Sequence, residues 1–309
     1  MEILIQVTLM VVGFIMLIKG ADWFVDGAAG IAAKMGIPQL IIGLTIVAMG
    51  TSAPETAVSI SSAIKGNADI CIGNVVGSNI LNVLIILGIT ATIVELKVAK
   101  STIRYEIPYM IFITIVLLIM GYTGNKVTLL EGAILWALFI LYLAYLFVMA
   151  RKNNSDDEYQ ENKPAWKLVL YIVVGLAIII CGSNITVDSA VSIAKAIGIS
   201  ERFIGLTIVA FGTSLPELVT SLAAARKGNA DIAIGNIVGS NIFNILFVIG
   251  TTAFILPVTF ESKFVVDTII CIATGVLLWL GVFRKQKLNR KLGIVMLCAY
   301  GAYLVYLLG

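Results

Sequence analysis

Two glutamates stand inside long apolar runs of this chain, Glu55 in Gly50-Thr51-Ser52-Ala53-Pro54-Glu55-Thr56 and Glu217 in Gly212-Thr213-Ser214-Leu215-Pro216-Glu217-Leu218. A carboxylate at mid-membrane costs roughly 3 kcal/mol on insertion scales, so a chain that places one there twice has a use for the charge. Thr51 and Ser52 precede Glu55 by four and three residues, which puts their hydroxyls on its face if helix resumes there; Thr213 and Ser214 repeat the arrangement around Glu217. Glycine weakens a helix and proline removes a backbone donor. Gly50 with Pro54, and Gly212 with Pro216, therefore predict a kinked or interrupted helix at membrane depth. Exposed backbone is tolerated there only where protein buries it or it lines a cavity. The freed carbonyls of Ala48 and Ala210 could then face an ion. A lone Thr-Ser pair ordinarily bonds its own helix carbonyls, but that does not account for a glutamate beside each break.

A second motif, Gly73-Asn74-Val75-Val76-Gly77-Ser78-Asn79-Ile80-Leu81-Asn82, is echoed by Gly235-Asn236-Ile237-Val238-Gly239-Ser240-Asn241-Ile242-Phe243-Asn244. Its paired glycines four apart let helices approach closely. Ser78 and Asn82 share a helix face, as do Ser240 and Asn244, and offer neutral oxygens beside the glutamates. Asn74, Asn79, Asn236 and Asn241 read as interhelical hydrogen-bonding residues.

The combined inventory is all oxygen: two carboxylates, hydroxyls, amide carbonyls and backbone carbonyls. Calcium takes six to eight oxygens at about 2.4 Å in flexible geometry, and sodium is also a hard, oxygen-seeking cation. Zinc and copper prefer imidazole or thiolate. Histidine is absent, and Cys71, Cys181, Cys271 and Cys298 sit singly without metal-type spacing. Two carboxylates carry a charge of −2, which one calcium or two sodium ions neutralise. Competition for the shared ligands makes the ions mutually exclusive, the basis of exchange.

The elements that must position these groups follow from composition. Hydrophobic residues are 60% of 309 positions and charged residues 13%, the balance of a polytopic membrane protein. The net charge of +3 is small and forms no basic stripe, which excludes nucleic acid as a partner. The apolar N-terminal stretch lacks a basic n-region, so it reads as a retained span. Apolar segments near 2–33, 39–64, 70–94, 105–123 and 128–150, then 166–197, 203–225, 232–256, 264–283 and 291–308, each suit a span of about 20 residues. The chain thus divides into an N-terminal unit (1–150), a polar linker (151–164) and a C-terminal unit (165–309).

The units repeat. Glu217 minus Glu55, Asn244 minus Asn82 and Gly205 minus Gly43 all equal 162, and 32 of the 49 positions from Ile42 to Thr90 match at that offset without a gap. The match persists at Gly20/Gly182, Val25/Val187, Asp26/Asp188 and Gly36/Gly198. A unit with an odd number of spans sends the next one into the membrane in the opposite sense. The expected fold is all-α: ten transmembrane helices as two inverted five-helix repeats, with helices broken at the midplane. With the N-terminus outside, the internal loops hold fifteen Lys and Arg and the external loops five. That asymmetry obeys the positive-inside tendency and places both termini outside the cell membrane.

At the two motifs the sequence resembles the cation/calcium exchanger superfamily, and most nearly its prokaryotic sodium/calcium exchangers, over almost the whole chain. The resemblance implies four clustered cation sites, with Glu55 and Glu217 as central calcium ligands. It implies that Thr51, Ser52, Thr213, Ser214, Ser78 and Ser240, with the Ala48 and Ala210 carbonyls, frame the sodium positions, and that Asn82 contributes at the middle. It also implies exchange of three sodium ions for one calcium, with the first and sixth helices sliding across a fixed core. Some relatives carry Asp where this chain has Asn244; the neutral amide resembles the potassium-independent branch.

A proton/calcium exchanger on the same fold is the nearest rival, and a passive cation channel a more distant one. The two glutamates lack the nucleophile–base arrangement of an enzyme site, and neither a cofactor nor an obligate protein partner is evident. Lys19 and Asp22 could pair along one helix, and Asp26 recurs as Asp188, a cluster read as structural or interfacial. The linker acids Asp156, Asp157, Glu158 and Glu161 lack EF-hand spacing and read as a solvated hinge.

Overall fold

The computed structural model describes residues 2–66, 69–152, 163–198 and 210–308. Its helices are α1 (Glu2–Met35), α2 (Gln39–Thr51), α3 (Ala53–Ile64), α4 (Ile70–Ile93), α5 (Thr102–Gly124), α6 (Leu129–Lys152), α7 (Ala165–Ala196), α8 (Ala210–Thr213), α9 (Leu215–Arg226), α10 (Ala230–Ile255), α11 (Ser262–Phe283) and α12 (Arg290–Leu308). In hydrocarbon every backbone polar group must be satisfied within the segment, and helices dominate for that reason. Among the described residues eight helices are long and apolar enough to cross a membrane, and α2 with α3 makes a ninth passage bent by 47°. The expected segment near 203–225 is described only as α8 and α9. Gly205, Asp156, Asp157, Glu158 and Glu161 lie outside the described residues.

The helices form an inner and an outer shell. The apolar window of α10 is 94% buried and that of α4 72%, against 17% for α1. The central pair is therefore packed like a protein core, while α1 turns most of its surface outward.

Equivalent elements pair reciprocally. α1 and α7 lie along one another, with Gly13 against Gly182, Gly20 against Gly175 and Gly27 against Leu168. Numbers rise on one helix as they fall on the other, so these two equivalents run antiparallel. A Cβ at Gly175 would sit 2.6 Å from the Phe24 nitrogen, and only glycine permits that approach. The end of α4 packs on α12 and the equivalent end of α10 packs on α6. Short strands continue the pattern: β1 (Leu96–Lys97) pairs antiparallel with β4 (Lys287–Leu288), and β2 (Lys126–Val127) with β3 (Val258–Thr259). Val98 N donates to Gln286 O and Phe260 N to Asn125 O, each at 2.9 Å. Element i meeting j while the equivalent of j meets the equivalent of i is the signature of a two-fold relation.

Local signals explain several boundaries. α5 ends where Asn125 takes φ 51°, a left-handed cap that asparagine tolerates. α6 starts from a capping box in which Thr128 N donates to Glu131 Oε2 at 2.7 Å and Glu131 N to Thr128 Oγ1 at 3.4 Å. Lys34 Nζ reaches Lys163 O at 3.1 Å and Lys227 Nζ reaches Asp22 O at 2.8 Å. The loops before α2, before α7 and after α9 therefore share one side.

Candidate cation site

The break expected near Gly50 and Pro54 falls at Ser52, which leaves helical geometry at φ −80°, ψ 10° before α3 begins with Pro54 in its first turn. Ser214 does the same at φ −93°, ψ 6° ahead of α9. Proline suits the first turn because its missing N–H has no intrahelical acceptor there. Glu55 and Glu217 thus stand in the first turns of α3 and α9, where the positive end of each helix dipole favours an anion. Both are fully buried.

The hydroxyls correct the expectation of a shared face. Ser52 Oγ donates to Glu217 Oε1 at 3.0 Å, and Ser214 Oγ to Glu55 Oε1 at 3.1 Å. Each serine serves the glutamate of the other half, because the non-helical residue at the break turns its side chain across the interface. Thr51 Oγ1 donates to Asn236 Oδ1 at 3.0 Å and approaches Ala48 O at 3.3 Å. The break therefore ties the halves together in the buried centre.

α4 and α10 supply the amides. Asn79 Nδ2 donates to Asn241 O and Asn241 Nδ2 to Asn79 O, both at 3.1 Å. Their side-chain oxygens then accept from the neighbouring ligand candidates: Asn82 Nδ2 donates to Asn241 Oδ1 at 2.9 Å and Asn244 Nδ2 to Asn79 Oδ1 at 3.2 Å. With its amide nitrogen so held, each of Asn82 and Asn244 keeps its oxygen for something else. α4 becomes π-helical over Asn82–Leu87 and α10 over Asn244–Ile249, both beginning at these asparagines. Such wide turns recur at functional sites.

Among the described residues, four buried oxygens of this cluster have no hydrogen-bond partner: Glu55 Oε2, Glu217 Oε2, Asn82 Oδ1 and Asn244 Oδ1. They form two equivalent pairs, two from carboxylates and two from amides. An unsatisfied buried acceptor costs about 1–3 kcal/mol, more when charged, and oxygens of these types could be satisfied by a hard cation.

The remaining candidates surround this set. Ser240 Oγ approaches Ala48 O at 3.3 Å, so Ala48 O, Thr51 Oγ1 and Ser240 Oγ converge from α2 and α10. Gly239 permits the crossing, since a Cβ there would lie 2.8 Å from Leu44 Cα. Ser78 is buried on α4 one turn before Asn82. Ala210 opens α8, and Thr213 closes it, half-buried. Asn74 and Asn236 are interhelical ties: Asn74 Nδ2 donates to Glu55 O at 3.1 Å and Ser59 Oγ at 3.0 Å, and Asn236 Nδ2 to Glu217 O at 3.3 Å and Ser221 Oγ at 2.9 Å.

The two approaches to the cluster differ. α1 packs along α9, whereas its equivalent α7 makes no comparable packing on α3 among the described residues. Between α3, α7 and α8 lies a cavity of about 460 Å³, lined in part by Pro54, Ala57, Ser183, Asn184, Asp188 and Thr213. Thr51, the equivalent of Thr213, is fully buried. Among the described residues, the α7 side of the cluster is thus the open one and the α1 side the closed one.

Asn79 and Asn241 are the interhelical hydrogen-bonding residues expected from the sequence, and each also holds the amide of Asn244 or Asn82. Sequence reasoning missed Glu106, buried between α5 and α6 with the Tyr145 hydroxyl donating to Oε1. Its position in the second half is Thr268, so Glu106 stands outside the paired cluster.

These features define a helical membrane protein with an oxygen-lined, twinned polar centre. The chain belongs to the sodium/calcium exchanger protein family, whose model matches residues 5–148 and 167–309; this is a family of exchangers rather than enzymes. It is 31% identical to the sodium/calcium exchanger MaX1 of Methanosarcina acetivorans, over 99% of this chain and 99% of that one. It is 35% identical to the inner membrane protein YrbG of Escherichia coli, over 98% of this chain and 96% of the relative. Among solved structures it resembles the sodium-calcium exchanger NCX_Mj soaked with 2.5 mM Na+ and 0.1 mM Ca2+, at TM-score 0.85 and 31% identity, covering 97% of this chain and 98% of that one. The same exchanger soaked with zero Na+ and Ca2+ gives TM-score 0.86 at 33% identity, with 99% of each chain covered.

Proposed function

We propose that this chain is a sodium-driven calcium antiporter that works by alternating access, built as ten membrane helices in two inverted five-helix repeats. The carrying observation is the set of four unpartnered buried oxygens on Glu55, Glu217, Asn82 and Asn244. In this reading these residues hold calcium at the midplane, the two carboxylates balancing its charge. Thr51, Ser52, Thr213, Ser214, Ser78 and Ser240, with the Ala48 and Ala210 carbonyls, frame the sodium positions. Sodium binding draws the shared carboxylates away from calcium, so the two ions exclude one another. The antiparallel run of α1 against α7 and the one-sided cavity support inverted units that alternate. The loop charges support external termini in the cell membrane.

Three sodium ions against one calcium would move one net charge per cycle, worth roughly 2.3 kcal/mol per 100 mV. The amide at Asn244 supports independence from potassium. The test is calcium uptake into proteoliposomes loaded with sodium, compared with vesicles holding a proton gradient. Uptake that follows the sodium gradient, grows with an inside-positive potential and ignores potassium is the expected result. Uptake driven by protons alone would replace this reading with proton/calcium exchange.

A further inference from the structure

The repeat offset that pairs the ion ligands also pairs four charged residues outside the site. Asp26 corresponds to Asp188 and Lys227 to Lys65, each by 162. On the closed side, Lys227 Nζ lies 2.8 Å from Asp26 Oδ1 and 3.3 Å from Asp22 Oδ1. This pins the end of α9 to α1 along the contact that seals that approach. On the open side, Asp188 lines the cavity and Lys65 is exposed just beyond α3. Neither side chain makes an ion pair among the described residues. The same two residue types are therefore joined where the bundle is shut and parted where it is open.

We infer that Asp26 with Lys227, and Asp188 with Lys65, are equivalent latches that close the two approaches to the ion site in turn. The inference rests on the alternating-access reading. When α1 and α7 shift together against the core, the Lys227 latch opens and Lys65 meets Asp188 across the present cavity. The two latches are unequal. Asp22 corresponds to Asn184, so Lys227 faces two carboxylates, whereas Lys65 would face one carboxylate and one amide. The difference favours the arrangement seen here, closed on the Lys227 side. Ion pairs this exposed are individually weak, yet a transporter poised between two states responds to small differences.

The test uses a cysteine-free full-length chain in nanodiscs, where both faces meet a membrane-impermeant thiol reagent. Ala57→Cys reports opening on the Lys65 side, and Val219→Cys, its equivalent by the repeat, reports the Lys227 side. Lys227→Gln should slow labelling at position 57 and quicken it at 219 by about two- to five-fold. Lys65→Gln should shift both rates the opposite way. Asp22→Asn, which leaves Lys227 its Asp26 partner, should give a smaller shift in the direction of Lys227→Gln, and Asn184→Asp should do likewise by strengthening the other latch. The charge swap Asp26→Lys with Lys227→Asp should return the rates toward wild type. Unmoved rates, or shifts of one sign for both lysine variants, would overturn the latches. Labelling needs no ion gradient, so a wild-type protein that fails to exchange sodium for calcium sinks the proposed function while the rates still decide this inference.

Discussion

Replacing Glu217 with Gln keeps the shape of the side chain and its bond from Ser52, and removes one of the two charges available to a divalent ion. Glu217 Oε1 accepts from Ser52 at 3.0 Å, and Oε2 faces no donor among the described residues in a fully buried setting. A calcium ion bound by the variant would keep one uncompensated positive charge at bilayer depth. Removing one partner of a buried charge pair costs about 3–5 kcal/mol, which corresponds to a loss of roughly 100- to 5,000-fold in calcium affinity. The ion-free protein responds in the opposite sense, because the variant replaces a buried carboxylate with a neutral amide, which costs less to bury. Thermal unfolding in a sodium-free buffer, with and without calcium, separates these effects. Wild-type protein at 100 times its dissociation constant should gain about 2.7 kcal/mol from calcium. Glu217→Gln should lose that gain while unfolding no earlier than wild type without calcium. A variant that keeps the calcium-induced shift, or takes up calcium at a near-normal rate in proteoliposomes, would refute the placement of Glu217 at the ion.

Other expectations follow from single contacts. Asn241→Ala removes the acceptor that holds the Asn82 amide and should weaken calcium binding by about 10- to 100-fold, the usual effect of losing a ligand's supporting partner; titration calorimetry reads it, and an unchanged affinity would remove Asn241 from the support of the site. Asn244→Asp adds a charge beside the two glutamates and should make transport pH-dependent or alter ion choice, so an unchanged pH and cation profile would contradict Asn244 as a ligand. Gly175→Val places a side chain where even a Cβ would lie 2.6 Å from the Phe24 backbone. It should separate α1 from α7 and lower thermal stability by about 1–3 kcal/mol, the range for overpacking; a variant as stable as wild type would mean that the two helices need not touch there.

Much of this architecture was legible because the chain states its motifs twice. Glu55, Glu217 and the glycine–proline breaks mark the polar centre, and the single offset of 162 pairs the halves in the sequence itself. The hydroxyl assignments were not legible. Helical spacing put Thr51 and Ser52 beside Glu55, but the turn at Ser52 sends its oxygen to Glu217, a relation visible only in three dimensions. The wide turns at Asn82 and Asn244 left no mark in the apolar pattern, since their neighbours are the same branched residues that fill ordinary membrane helices. Lys19 reads as a possible partner of Asp22 along one helix, and the ion pair that Asp22 makes is with Lys227, 205 residues away. The asymmetry of access was beyond reach for a deeper reason. The two units match most closely around the motifs, and differences between them such as Asp22 against Asn184 do not by themselves say on which side the helices pack together.

The most direct test of the central claim is a crystal structure of the protein soaked with calcium, phased for the anomalous signal of the ion. One peak bound by carboxylate oxygens of both Glu55 and Glu217, at about 2.3–2.6 Å, is the result predicted, and adding sodium should abolish it. A peak elsewhere, or one that touches only one of the two glutamates, would contradict the account.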